Sequence, residues 1–126
     1  MCLDPIPPWT SDTERCKGFF IAYFGATEGA AYVDAKKGFE SGFRNFVDGA
    51  RIEALKTTAL APVVVAPAAQ RPGLTHLAIC VGSERLVEEI PQRIREEGYQ
   101  VSDAPRRTGT GYYESMVLDP EAIESR

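Results

Sequence analysis

Cysteine is scarce and scattered in this chain. Cys2, Cys16 and Cys80 are odd in number and widely spaced, with no C-x-x-C among them, which excludes a disulfide framework and a zinc ribbon. Cys16 and Cys80 sit inside apolar patterns and read as buried small hydrophobes of a reducing compartment. Histidine is scarcer still, with His76 the only one. No apolar run approaches the roughly 20 residues that cross a bilayer. The N-terminus has no basic stretch followed by an apolar one, so no secretory signal is expected. Charge of one sign does not dominate either. Lys and Arg number 14 against 18 Asp and Glu, a net charge of −4 with the signs interspersed, and nucleic acid would need a concentrated positive face. A G-x-G-x-x-G turn, a Walker loop and a nucleophile elbow are all missing. The expectation is a cytoplasmic protein with no nucleic-acid and no membrane partner.

What is present is ordinary globular material. The chain has 126 residues, 44% hydrophobic and 25% charged, enough for a single domain over residues 1–126 with its own core. Residues 2–9 are apolar but carry Pro5, Pro7 and Pro8, which suits an edge strand or an extended arm. Ser11 offers a helix cap, with Glu14 at capping-box spacing. Cys16, Phe19, Phe20, Tyr23 and Phe24 then recur at i, i+3, i+4, i+7 and i+8, which predicts a helix of about three turns with one apolar stripe. Gly25 stands where a left-handed stop belongs. A short strand at 30–33, an aromatic-rich one at 39–47 and an alternating one at 50–57 follow, the last two joined by a two-residue Asp48-Gly49 hairpin turn.

Residues 58–73, with Pro62, Pro67 and Pro72, read as a linker. After it the order starts again. A strand is expected at 74–81. A helix over 84–97 turns Leu86, Val87, Ile90 and Ile94 inward and is kinked at Pro91. A short strand at 99–102, a polar loop carrying Arg106 and Arg107, a strand at 112–118 and a brief last strand at 122–125 complete the pattern. The chain therefore reads as two βαβββ modules, 1–57 and 74–126, on either side of the linker. Pro5 and Glu53 are 48 residues apart, as are His76 and Glu124, and the two pairs are offset by 71. Such self-similarity is the mark of an internal duplication.

Four stretches, residues 13–26 (TERCKGFFIAYFGA), 37–53 (KGFESGFRNFVDGARIE), 73–83 (GLTHLAICVGS) and 111–121 (GYYESMVLDPE), resemble the vicinal oxygen chelate superfamily, the glyoxalase and bleomycin-resistance proteins. The likeness is closest to small bacterial lactoylglutathione-lyase-like members. It implies an α+β fold of two tandem βαβββ modules, each sheet half of a barrel. It also implies a homodimer that closes around a small-molecule ligand. One metal ligand comes from the first and one from the last strand of each module, and the corresponding positions here are Pro5, Glu53, His76 and Glu124. Pro5 has no donor. Glu53, His76 and Glu124 would hold Zn, Ni, Mn or Fe, with open positions for a substrate's oxygens. In glyoxalase-like members the metal stabilises an enediolate, and a metal-bound carboxylate, here Glu124 or Glu53, moves the proton. Because the C-terminus is short, Glu121 is an alternative to Glu124.

Tyr112, Tyr113, Phe43 and Arg106 are candidate substrate contacts: two phenols, an apolar wall and a bidentate partner for an anionic tail. Core packing or a solvated surface is the plain alternative for each. Three functions stay open: a glyoxalase-like lyase or isomerase, a metal-free protein that sequesters a small molecule, and a relative whose site has been lost. A ring-cleaving dioxygenase is disfavoured, because two His are needed on its iron.

Overall fold

The structure is a computed structural model that describes residues 4–61 and 74–121 and the backbone of 124–125. The chain divides into two compact units, residues 1–64 and 65–126, each described by itself. Residues 62–73, most of the expected linker, lie outside the described residues.

The first unit holds α1 (Thr13–Phe24), β1 (Thr27–Asp34), β2 (Phe39–Asn45) and β3 (Arg51–Thr57). Its three strands form an antiparallel sheet in the order β1-β2-β3. The α1 stripe is as expected: Cys16, Phe19, Phe20 and Tyr23 are buried, with Phe19 edge-on to Phe20 and to Tyr23 at centroid distances of 5.5 and 5.2 Å. The cap is Asp12 and not Ser11. The Asp12 carboxylate accepts from the Arg15 backbone N–H at 3.0 Å, satisfying one of the first-turn donors. Gly25 ends the helix at φ 65°.

β1 is longer than the expected 30–33 because it continues through an irregularity between Glu28 and Ala31. Three steps on β1 there match two on β2, a bulge. Gly29 allows it, since a Cβ at that position would lie 2.8 Å from Phe43 Cβ. The β2–β3 turn also departs from expectation. The N–H of Phe46 bonds Ala50 O and that of Gly49 bonds Phe46 O, with Gly49 at φ 91°. That is a three-residue loop, Val47-Asp48-Gly49, with the glycine at its left-handed end.

The second unit holds β4 (His76–Leu77), α2 (Glu84–Glu96), β5 (Val101–Arg107), β6 (Tyr113–Leu118) and β7 (Glu124–Ser125), its strands ordered β4-β7-β6-β5. β4 is far shorter than the 74–81 expected. β5 is longer than 99–102 and takes in Arg106 and Arg107, which were expected in a loop. Its Pro105 is tolerated because β5 is an edge strand with bulges. α2 is capped by Ser83, whose hydroxyl accepts from Leu86 N–H, and it runs on through Pro91. Pro91 has no N–H for the carbonyl four residues back, that of Val87. The Ser115 hydroxyl of β6 donates to that carbonyl instead, at 3.2 Å. Both units are thus small α+β layers, a helix laid on a sheet, in line with the βαβββ plan.

Candidate functional site

Each sheet has one face under its helix and one face turned away. In the first unit Ile52 and Ala54 are buried beneath α1, so Arg51, Glu53 and Leu55 belong to the other face. Phe43 stands directly across from Glu53 on β2. On the far side of β3 the N-terminal arm runs parallel, Ile6 opposite Ile52 and Trp9 opposite Leu55. Main-chain bonds hold it: Ile6 N–H to Arg51 O and Glu53 N–H to Ile6 O at 3.0 Å, and Leu55 N–H to Pro8 O at 2.9 Å. The arm is therefore the edge piece that its prolines allow. Its register places Pro7 beside Glu53, two residues on from Pro5. Either proline lacks a side-chain donor, so the chemical consequence expected of Pro5 carries over to Pro7.

The open face of the first unit is largely apolar around Glu53. Pro7 lies to one side and Phe43 to the other, with Leu55 next along the strand. Trp9, 49% exposed, lies beyond Leu55. Trp9 is not among the candidates named from sequence, where its only signal is being the one tryptophan in the chain. The nearest cation is engaged. Arg51 donates through two nitrogens to the Asp4 carboxylate at 2.7 and 2.8 Å and lies 4.8 Å from the Phe43 ring centroid. The guanidinium's hydrogen bonds hold the Asp4 carboxyl below its ordinary value.

In the second unit β4 and β7 run parallel with His76 opposite Glu124, and Glu124 stands opposite Leu118 of β6. His76 and Leu118 thus flank Glu124 in the ladder. Leu118 belongs to the face of β6 turned away from α2, because the alternate residues Tyr113 and Ser115 reach the helix. The Tyr113 hydroxyl donates to Glu88 at 2.8 Å and Ser115 donates to Val87 O. Glu124 is the residue in β7 opposite His76, while Glu121 precedes β7 and its N–H bonds the Asp119 carboxylate at 2.9 Å. His76 Nδ1 lies 2.9 Å from the Thr75 hydroxyl, which leaves Nε2 to face a ligand.

The candidate contacts divide. Phe43 shares the open face of its sheet with Glu53. Tyr113 lines the same cavity as His76, but its hydroxyl is committed to α2, and the bond to Glu88 raises its pKa. Tyr112 precedes β6 and is 71% exposed. Arg106 is no free anion receptor. It lies 2.5 Å from Asp103 and 3.5 Å from Glu114, both acidic, with the Asp103 bond first among the causes that raise its pKa. Glu114, next to Tyr113 on β6, is buried, and its cover depends on β5 pairing.

Among the described residues no group of three His, Cys, Asp or Glu side chains clusters to hold a metal. The donor types nonetheless suit one. An imidazole at His76 beside a carboxylate position at Glu124 is a borderline-to-hard pair of the kind divalent transition metals take. In the other unit, described by itself, Glu53 is a carboxylate with Pro7 beside it.

Comparison with known proteins follows this geometry. The family model described as Glyoxalase/Bleomycin resistance protein/Dioxygenase superfamily matches residues 3–124. No curated protein matches the sequence. Among solved structures, a possible glyoxalase from Bacillus cereus is 22% identical, with a TM-score of 0.71 over 99% of this chain and 96% of its own. A glyoxylase/bleomycin resistance protein/dioxygenase domain from Frankia sp. is 13% identical, with a TM-score of 0.81 over 99% and 94%. The trypanothione-dependent glyoxalase I of Leishmania major is 13% identical, with a TM-score of 0.74 over 99% and 84%.

Proposed function

Because the chain belongs to the Glyoxalase/Bleomycin resistance protein/Dioxygenase superfamily, we propose that it is a metal-dependent lyase or isomerase acting on a small molecule with vicinal oxygens. One observation carries the reading: His76 and Glu124 are direct cross-strand neighbours in the β4–β7 ladder. In this reading His76, Glu124 and Glu53 hold a divalent cation, Zn, Ni, Mn or Fe. When bound, the cation acts as a Lewis acid toward paired substrate oxygens. The protein's own groups do the rest. His76 presents Nε2 while Thr75 engages Nδ1. Phe43, Leu55 and Pro7 exclude water around Glu53. Glu124 or Glu53 accepts the proton from the carbon beside one substrate oxygen and returns it to the neighbouring carbon. The two βαβββ modules are proposed to act as one domain and, as a homodimer, to close on the substrate in a reducing, cytoplasmic setting.

A second reading has its own support. A position with no donor, Pro7 beside Glu53, favours a metal-free protein of the same fold that holds a small molecule without chemistry. Elemental analysis of the purified protein, with thermal melting against Zn²⁺, Ni²⁺, Mn²⁺ and Fe²⁺, separates the two. The metal reading expects near-stoichiometric metal or a clear rise in Tm, either of them lost in His76→Ala. No metal and no shift leaves the binding protein as the function. Turnover retained in metal-free His76→Ala would also end the metal reading.

A further inference from the structure

In the first unit a carboxylate and a guanidinium share the open face of the sheet without pairing. Arg51 and Glu53 are two residues apart on β3, so both take that face, about 7 Å apart along the strand. Phe43, directly across from Glu53, has the Arg51 guanidinium carbon 4.8 Å from its ring centroid. Glu53 is therefore within reach of the Arg51 side chain. It is also half-buried beside apolar Pro7, Phe43 and Leu55, surroundings that strengthen the attraction between opposite charges. Yet among the described residues the Glu53 carboxylate has no hydrogen-bond or ion-pair partner.

The N-terminal arm holds Arg51 back. Asp4 accepts from Arg51 Nε and Nη2 at 2.7 and 2.8 Å, the two-pronged geometry in which a guanidinium binds a carboxylate best. Asp4 reaches that place through the main chain of the arm, which β3 anchors by the bonds of Ile6 with Arg51 and Glu53. Its position therefore does not depend on its own side chain. The pair also cancels the charge of Arg51, so the charge of Glu53 stays uncompensated.

We propose that Asp4 is a positioning residue: it holds Arg51 off Glu53 and so keeps the Glu53 carboxylate open to a divalent cation. That Glu53 serves a cation rests on the metal reading above; that Asp4 keeps its carboxylate unpaired does not. A guanidinium released onto Glu53 would oppose a cation twice, by engaging the oxygens and by its charge.

The test compares the intact native protein with Asp4→Ala, Asp4→Glu and Asp4→Ala/Arg51→Gln. Crystal structures come first and need no metal. In Asp4→Ala the Arg51 guanidinium is expected within hydrogen-bond distance of the Glu53 carboxylate. An Arg51 that stays off Glu53 in that variant overturns the proposal, whatever the cations do. Calorimetric titration with Zn²⁺ and Ni²⁺ then reads the consequence. Binding is expected to weaken about tenfold in Asp4→Ala, the scale of a hydrogen bond to a charged group. It is expected to return in Asp4→Ala/Arg51→Gln, where no guanidinium competes, and to be kept in Asp4→Glu, which retains the pair. Unchanged binding in Asp4→Ala overturns the proposal. So does equal weakening in Asp4→Ala and the double variant, which is what a merely structural Asp4 predicts. A native protein that binds neither ion ends the metal reading, and the position of Arg51 in Asp4→Ala still decides whether Asp4 guards Glu53.

Discussion

Single residues carry more of this architecture than their number suggests. Gly29 is required by contact: the bulge in β1 brings its Cα so close to β2 that a methyl group would meet Phe43 Cβ at 2.8 Å and Asn45 Nδ2 at 2.9 Å. Gly29→Ala is expected to destabilise the protein by about 1–3 kcal/mol in denaturant unfolding. Gly18→Ala, in α1 with nothing within 4 Å of the added methyl, is expected to stabilise by about 0.4–1 kcal/mol. The Asp4–Arg51 pair makes a pH prediction. Its hydrogen bonds lower the folded pKa of Asp4 below its ordinary value of 3.8, so the pair's contribution is present above that value. It is lost as the pH falls through the depressed folded pKa. Trp9 on the same arm reports this. Its fluorescence is expected to change on acidification at a lower pH in the native protein than the transition of a free aspartate. A transition at the ordinary value would mean that the pair does not form.

At the scale of elements, α2 poses the clearest question. A proline in a helix interior removes a bond and costs about 3 kcal/mol or more, yet α2 runs from Glu84 to Glu96 with Pro91 buried inside it. The Ser115 hydroxyl, on a strand 28 residues away, takes over the Val87 carbonyl. Ser115→Ala is expected to cost about 1 kcal/mol. In a Pro91→Ala background, where the helix can supply its own N–H, it is expected to cost less. Equal costs in both backgrounds, measured as a double-mutant cycle, would show that the two groups are not coupled. The sequence could place Pro91 in the helix, because Leu86, Val87, Ile90 and Ile94 keep helical spacing across it. It could not name Ser115, because the partner of an orphaned carbonyl is set by how the sheet packs beneath the helix. The same holds for Arg106. Its local surroundings resemble a loop, and only pairing with β6 turns that stretch into a strand that sets Arg106 between Asp103 and Glu114.

For the whole molecule, the proposed homodimer follows from family membership and is checked by light scattering. A mass of about twice the 13.8 kDa chain is expected, and a monomer at all concentrations would remove that part of the proposal. The two units also differ where an internal duplication would have them alike. In the second, His76 stands beside Glu124; in the first, Pro7 and not Pro5 stands beside Glu53. Residue spacing alone made the two pairs equivalent. A register slip of two residues preserves which face each side chain takes, so Glu53 keeps its face while its neighbour changes.

Local pattern in the sequence determined the two helices, their apolar stripes, the glycine stop at Gly25 and the repeated module order. Periodicity, caps and turn residues act within a few positions of one another, and the spacing of His76 and Glu124 repeats that of the first module. The capping residue, the bulge at Gly29, the strand ends, the face taken by Tyr113, the neutralised Arg106 and the neighbour of Glu53 were decided by the tertiary structure alone. Each depends on hydrogen bonds or charges between residues far apart in the chain, or on competition between adjacent acceptors such as Ser11 and Asp12. Neither is settled until the strands have found their registers.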